Sequence, residues 1–347
     1  MGERRTRTKA KRPSGVATIS DVAAEAGVSV ATVSRVMNGN PTVAGELAAK
    51  VREVAERLHY SPSVLGRNLS LGKTRTVALV VPDVTNPMFQ EVLRGVTTAA
   101  AQDEYRVLIA DLAEDAAEGA TITLDARSRC DAAILVSPRL PETQLRSMLG
   151  GLTPAVVINR HLPGSGLPSL VVDHAAGVRA AIRHLFDLGH RDIAYVAGNP
   201  LSAADQLRRD GISQAQLELP DVRVQVLPGG AQIDDGYDAA DAVVAAGVTA
   251  VVCHNDLVAF GLMARARERG VNVPRDLSVV GFDDIQFARY ATPALTTLAA
   301  PHRELGARAW RELSAVISGG TPTTGALWFA PELVIRDSTA PPASSSA

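Results

Sequence analysis

Two groups of residues in this 347-residue chain have types and spacings that could do chemistry. The first is Val30, Ala31, Thr32, Ser34 and Arg35, inside TISDVAAEAGVSVATVSRVMN at residues 18–38. A short helix with these groups outward suits a DNA major groove, where a guanidinium pairs bidentately with guanine and small apolar groups meet thymine methyls. The second group follows short apolar bursts. Asp83, Asn86, Met88 and Phe89 come after Val77–Val81, and Arg160 after Ala155–Ile158. Asn255 and Asp256 come after Ala250–Cys253, and Asp283 and Asp284 after Leu277–Gly281. Polar groups just past buried strands point into a crevice, where they can pair with hydroxyls or ring nitrogens of a small molecule. The plain alternative for each Asp or Asn is a helix N-cap, and Asp256 and Asp284 are read that way.

Catalytic arrangements do not survive inspection. Gly164-Ser165-Gly166 lacks the third glycine and following helix of a dinucleotide fingerprint. His254, Asn255 and Asp256 are consecutive, so at a strand end they point apart rather than forming a relay. His184 and His190 bracket a helix end at LFDLGH, where Gly189 is a C-cap. No carboxylate pair stands out from the caps, and no metal or cofactor is expected.

The first group needs a rigid pair of helices. Thr18 can cap the first through an amide near Asp21, and Ile19, Val22, Ala23 and Ala26 recur at helical spacing. Gly27 suits a left-handed stop, and Ser29 caps a second helix that buries Val33, Val36 and Met37. After the turn residues Asn38-Gly39-Asn40-Pro41, a third helix is expected over Glu46–Leu58, burying Leu47, Val51, Val54, Ala55 and Leu58.

The second group needs buried parallel strands. The apolar bursts Val77–Val81, Val107–Ala110, Ala132–Val136, Ala155–Ile158, Leu170–Val172, Ile193–Ala197, Val222–Val226, Ala250–Cys253 and Leu277–Gly281 alternate with helical stretches. Unbroken bursts indicate strands covered on both faces, and this many imply two α/β lobes.

Composition narrows the class. Residues 1–75 hold 13 Lys/Arg against 6 Asp/Glu, and the remainder 22 against 31. A basic head on an acidic body suggests that the head meets a polyanion. Arg4, Arg5, Arg7, Lys9, Lys11 and Arg12 are expected to form a solvated tail. No apolar run is long enough to span a membrane and no export signal is visible, so a cytoplasmic location is expected. Cys130 and Cys253, far apart in apolar runs, are expected as buried reduced thiols.

The pattern D-V-A-x-x-A-G-V-S-x-x-T-V-S-R at residues 21–35 resembles the lactose-repressor-type (LacI/GalR) family of bacterial transcription regulators, and the likeness runs nearly to the C-terminus. The resemblance implies a small all-α helix-turn-helix head plus a two-lobed α/β body of type I periplasmic-binding-protein kind, built on parallel sheets. The expected divisions are a tail at 1–16, the head at 17–60, a hinge helix and linker at 61–75, the body at 76–340 and a disordered tail at 341–347. Lobe 1 would hold about 76–160 and 292–322, and lobe 2 about 162–289 and 327–340. The crossings would then lie near Arg160–Leu162, Arg289–Thr292 and Thr321–Leu327.

The same resemblance implies a homodimer on a near-palindromic operator in double-stranded DNA, with affinity controlled by a small molecule between the lobes. Thr32, Ser34 and Asn38 are assigned to phosphates and Val30, Ala31 and Arg35 to base edges, with Thr18, Ser29 and Tyr60 completing the contacts. Leu69 matches a hinge residue that wedges between base pairs in the minor groove. Asn255 and Asp283 match effector-holding positions, Arg208 a clamping arginine and Phe89 an aromatic wall. Asp83, Asn86, Met88 and Arg160 complete the expected site by the strand-end rule.

Departures from the family pattern carry consequences. Ala44 stands where a capping Ser or Thr is usual, at a cost of about 1 kcal/mol. Gly66 replaces the usual hinge alanine, weakening that helix by roughly 1 kcal/mol. Ile212 replaces an aromatic after Gly211, Ala231 replaces the aromatic lid of a purine-responsive relative, and Ala300 replaces a frequent glutamine. Although GFDDIQFARYATPALTT resembles the purine-responsive branch, the balance favours a sugar or polyol effector. The rival reading, a solute-binding protein for transport, shares the two lobes but has no use for a DNA-reading head.

Overall fold

The computed structural model describes residues 17–37, 43–61, 73–115, 117–321, 323 and 325–343. It divides into two units, one ending at Thr74 and the other starting at Arg75. Residues 1–16, Asn38 and the hinge stretch containing Gly66 and Leu69 lie outside the described residues.

The first unit packs α1 (Ile19–Ala26), α2 (Val30–Met37) and α3 (Gly45–Arg57) around one small core. Its centre is Val22, Ala26, Val33, Val36, Val51 and Val54. Ala48, not Leu47, is the fully buried residue at the start of α3, and Leu58 is half-buried. A helix starting at Gly45 turns the Ala48–Val51–Ala55 stripe inward and leaves Leu47 at its margin.

The second unit holds two lobes. Lobe 1 starts with β1 (Thr76–Val81), α4 (Pro87–Gln102), β2 (Arg106–Asp111), α5 (Gly119–Ser128) and β3 (Ala132–Val136). It continues with α6 (Glu142–Ser147), α7 (Leu149–Leu152), β4 (Ala155–Ile158) and β5 (Ser169–Val172). The chain then enters lobe 2 through α8 (His174–Asp187), β6 (Asp192–Val196), α9 (Ala203–Glu218) and β7 (Arg223–Leu227). There follow α10 (Ile233–Ala245), β8 (Ala250–Cys253), α11 (Asp256–Glu268), β9 (Ser278–Val280), a short 3-10 turn at Gln286–Arg289 and β10 (Thr297–Ala299). Helix α12 (His302–Ile317) and β11 (Ala326–Phe329) return to lobe 1, and β12 (Glu332–Val334) pairs antiparallel with β10 in lobe 2.

The lobe 1 sheet runs β11-β5-β4-β3-β1-β2 and the main lobe 2 sheet β7-β6-β8-β9, all parallel. The crossings therefore fall at Asp173, at Ala300–Pro301 and at Ala330–Pro331, which corrects the three expected positions. A fully apolar burst such as Leu170–Val172 can be buried in either sheet. Its pairing with β4 and β11 assigns it to lobe 1.

Two strands also depart from the two-faced burial that their sequence suggests. Strands β2 and β7 are sheet edges, where Ile109 stays 44 % exposed and Val226 41 %. Within each lobe the closest helix pairs meet at glycine. A Cβ on Gly306 of α12 would collide with the Val92 carbonyl of α4, and one on Gly261 of α11 with the Ile233 carbonyl of α10. At the C-terminus, Pro342, expected in a disordered tail, is half-buried beside Gly189. Both cysteines are free and buried, and desolvation pushes the Cys130 thiol up to about 11.

Candidate nucleic-acid interface and effector cleft

In the head, Thr18 closes a reciprocal cap on α1: its amide donates to the Asp21 carboxylate at 2.8 Å, and the Asp21 amide donates back to Thr18 Oγ1 at 3.4 Å. The Thr18 amide and hydroxyl, both donating to it, hold the Asp21 carboxyl below its ordinary range. Gly27 takes the left-handed conformation, φ 69°, that turns the chain into α2. Ser29 Oγ accepts the Thr32 amide at 3.1 Å and lies 2.9 Å from the Thr32 hydroxyl. The Thr32 hydroxyl, assigned to a phosphate, and that of Ser29 thus also hold the start of α2.

Val33 and Val36 anchor α2 to the core, which leaves Val30, Ala31 and Arg35 exposed on the opposite face. Arg35 makes no ion pair or hydrogen bond among the described residues, so its guanidinium is free for an outside partner. Tyr60 packs against the head core, and burial raises its phenol. The contacts expected of Asn38 and Leu69 lie outside the described residues.

In the body, eight of the ten parallel strands of the two central sheets are followed by residues that line the gap between the lobes. From lobe 1 the gap receives Asn86, Met88 and Phe89 after β1, Ser137 and Arg139 after β3, Asn159 after β4 and His174 after β5. From lobe 2 it receives Ser202 and Arg208 after β6, Ala231 after β7, His254 and Asn255 after β8, and Asp283 after β9. The lobes are closed on one another, and the cavity among these side chains is about 20 Å³. That is room for about one water, so a sugar-sized molecule enters only if the lobes part.

Polar bonds tie the lobes together. Gln232 Nε2 donates to Asp83 at 2.6 Å, Arg139 Nη1 donates to Ser202 Oγ at 3.1 Å, and Asn199 Nδ2 donates to Glu114 at 3.2 Å. Burial alone would raise the Asp83 carboxyl, but the Gln232 and Thr85 bonds outweigh it and hold it below the usual range.

Six of the eight expected cleft residues line this cavity: Asn86, Met88, Phe89, Arg208, Asn255 and Asp283. Asp83 serves the lobe–lobe bond instead. Arg160 lines a neighbouring cavity of about 470 Å³ with Leu140, Leu201 and Trp328, and burial lowers its guanidinium pKa.

Asn255 both lines the cavity, as expected, and takes the capping role expected of Asp256. Asn255 caps α11 by accepting the Val258 amide at 2.9 Å and donates to the Ala231 carbonyl at 2.8 Å. Asp256 instead lies fully buried, bonded to the Ile285 amide and the Thr297 hydroxyl, with burial raising its carboxyl far above the usual range. Asp284 pairs with Arg336 at 2.6 Å rather than capping a helix.

Sequence reasoning passed over Arg139 and His174, and weighed His254 only as a member of a relay. Each stands one to three residues past a buried strand, so the strand-end rule could have found them. His254 Nδ1 lies 3.3 Å from Asp205 Oδ1 and 3.4 Å from Arg208 Nη1. Asp205 also takes the Tyr195 hydroxyl at 2.6 Å, the Gly198 amide and Arg209. Burial would raise the Asp205 carboxyl, but these partners hold it far below its ordinary range, whereas burial lowers the His254 imidazole.

Comparison with known proteins agrees with both units. The pattern of "Bacterial regulatory proteins, lacI family" matches residues 18–63, and that of "Periplasmic binding protein-like domain" matches 182–339. The chain is 33 % identical over 346 residues to the HTH-type transcriptional repressor CytR of Escherichia coli (strain K12), covering 95 % of this chain and 98 % of that one. Among solved structures, the Lac repressor dimer bound to operator and the anti-inducer ONPF aligns with a TM-score of 0.81 at 25 % identity, covering 94 % of this chain and all of that one. A LacI family transcriptional regulator from Enterococcus faecium with bound ribose aligns at 0.68 and 26 % identity, over 77 % of this chain and 99 % of that one. With a helix-turn-helix head, two parallel-sheet lobes and this extent of identity, the chain belongs to the lacI family of bacterial transcriptional regulators.

Proposed function

We propose that this protein is a homodimeric transcriptional repressor, acting in the cytoplasm, whose grip on a near-palindromic operator is set by a small polyhydroxylated effector in the cleft. The observation that carries this reading is the meeting, at one lobe–lobe gap, of buried polar side chains from the ends of seven parallel strands. A ligand there differs in its contacts between open and closed lobes, which is the condition for a coupled equilibrium, typically 1–3 kcal/mol. Val30, Ala31 and Arg35 face outward for base edges, with Thr18, Ser29, Thr32 and Ser34 beside them for phosphates.

A sugar-like effector is supported by the mixed donors and acceptors of the cavity and by the ribose in the Enterococcus faecium relative. A second copy is supported by exposed apolar side chains on the edge strands β2 and β7, Ile109 and Val226, and on helices α5 and α10, Leu124, Ile233 and Val244. Repression as the direction of control is supported by the relative named a repressor. The transport reading has no role for the head.

A mobility-shift titration on an inverted-repeat duplex, repeated with sugars and polyols added, tests the proposal. Binding in two-fold stoichiometry that changes with one added compound is expected. A folded protein that ignores every inverted repeat at low salt refutes it.

A further inference from the structure

The body begins at a clamped residue. Lys73 and Thr74 are exposed, and Arg75, half-buried, is the first residue of the second unit. Its backbone stands at φ 53°, in the left-handed region. A residue with a side chain holds that conformation only where its surroundings impose it. Here they act from both sides. The Arg75 amide donates to the Asp131 carboxylate at 3.0 Å, just before β3. The Arg75 carbonyl accepts the Arg106 amide at 2.9 Å, at the start of β2.

The side chain is held as well. Nη1 donates to the Asp103 carbonyl at 3.2 Å, and the guanidinium stands 5.4 Å from the centre of the Tyr105 ring. Asp103 is the C-cap of α4, so the cation meets the negative end of that helix. Residues of α12 close the cluster. Trp310 Nε1 donates to the Asp103 carboxylate at 2.7 Å, and the Ser314 hydroxyl donates to the same oxygen at 3.2 Å. The Trp310 ring lies 4.9 Å from that of Tyr105.

The same two helices begin at the cleft. Asn86 caps α4, Met88 and Phe89 of its first turn line the cavity, and α12 starts directly after the crossing at Ala300–Pro301. A Cβ on Gly95 of α4 would collide with the Arg303 carbonyl of α12, and one on Gly306 with the Val92 carbonyl, so the pair is packed too closely to slide. The 16 residues of α4 span about 24 Å between cleft and clamp.

We propose that Arg75 is a positioning residue for operator binding. It fixes the end of the linker to lobe 1, so that the half-site spacing accepted by the dimer follows the body. A linker ending on an unanchored residue would turn freely, and the heads would accept a range of spacings. The proposal rests on the reading of this protein as a homodimer on an inverted repeat, and it adds the residue through which the body imposes its geometry.

The test uses the full chain. The wild type selects a duplex from a random pool. Binding is then compared on that duplex, on a version with one base pair inserted at its centre, and on a random duplex. The insertion moves one half-site by about 3.4 Å and about a tenth of a turn. The wild type should bind the inserted duplex on the order of tenfold more weakly than the selected one. Arg75→Gly keeps the backbone conformation and removes the side chain. It should bind the selected duplex about tenfold more weakly, lose most of the discrimination against the insertion, and keep the wild type's binding to the random duplex. Arg75→Met should behave in the same way, which separates loss of the clamp from the freedom of glycine. Arg75→Lys, which can still donate to the Asp103 carbonyl, should restore part of the discrimination. Full discrimination against the insertion in the glycine and methionine variants overturns the proposal. Equal loss on all three duplexes also overturns it, because it makes Arg75 a phosphate contact. If the wild type selects no inverted repeat, the DNA-binding reading fails before any variant is made, and this proposal fails with it.

Discussion

Gln232 of lobe 2 and Asp83 of lobe 1 meet at 2.6 Å, so one amide–carboxylate bond spans the gap that a ligand must enter. A partly buried bond to a charged acceptor contributes about 1.5–3 kcal/mol, here to lobe closure. Gln232→Ala should therefore shift the body toward open lobes. Small-angle scattering should show a larger radius of gyration without effector, and Asp83→Asn should give a smaller change in the same direction. An unchanged scattering profile in both variants would show that the remaining bonds hold the lobes alone.

Arg35 is exposed on α2 and has no hydrogen-bond or ion-pair partner among the described residues, whereas Val33 and Val36 beside it are core. Arg35→Ala should leave the head folded and remove about 1–3 kcal/mol of discrimination per half-site. Competition binding of operator against random duplex measures this. Equal loss on both duplexes would assign the arginine to phosphates instead.

Ala44 begins α3 with φ −52° and ψ 138° and makes no side-chain cap. Serine fits that backbone and can accept an orphan amide of the first turn. Ala44→Ser should stabilise the head by about 0.5–2 kcal/mol, read as slower amide exchange along α3 with lobe exchange unaltered. Faster exchange in α3 would mean that the hydroxyl disturbs the preceding turn.

Burial lowers the imidazoles of His174, His190 and His254 below the ordinary 6.5. His190 is locked further by Thr249, Ser278 and the Ala340 carbonyl. On acidification the unfolded chain takes protons first. The stability is fully present above about pH 6.5 and declines as pH falls from there toward the folded-state values. The melting temperature should be lower near pH 5.5 than near pH 7.5, and His190→Gln should flatten the dependence. A melting temperature that rises on acidification would reverse the assigned sign.

The head was legible because its rules are local. A capping Thr18, a left-handed Gly27 and the inward Val33 and Val36 each act within one or two helical turns, and the structure places them as their spacing demands. The cleft was legible in part, because a polar residue directly after a buried parallel strand has few places to point other than the crevice. Arg208, Asn86, Phe89 and Asp283 reach it accordingly.

Three matters required the tertiary structure. An apolar strand does not encode its sheet, so only pairing decided that Leu170–Val172 belongs beside β4 and β11 and moved the first crossing to Asp173. Neighbouring polar residues do not encode which caps and which is buried, so only the packing of the Ile285 amide and Thr297 over Asp256 left Asn255 as the cap. The electrostatic state of Arg208 depends on where distant carboxylates spend their hydrogen bonds. Sequence by itself determined which groups arrive at the cleft, through short-range periodicity and strand-end geometry. Tertiary structure decided which of them remain without a partner there, because satisfaction of a buried polar atom is a property of all the chains of contact around it.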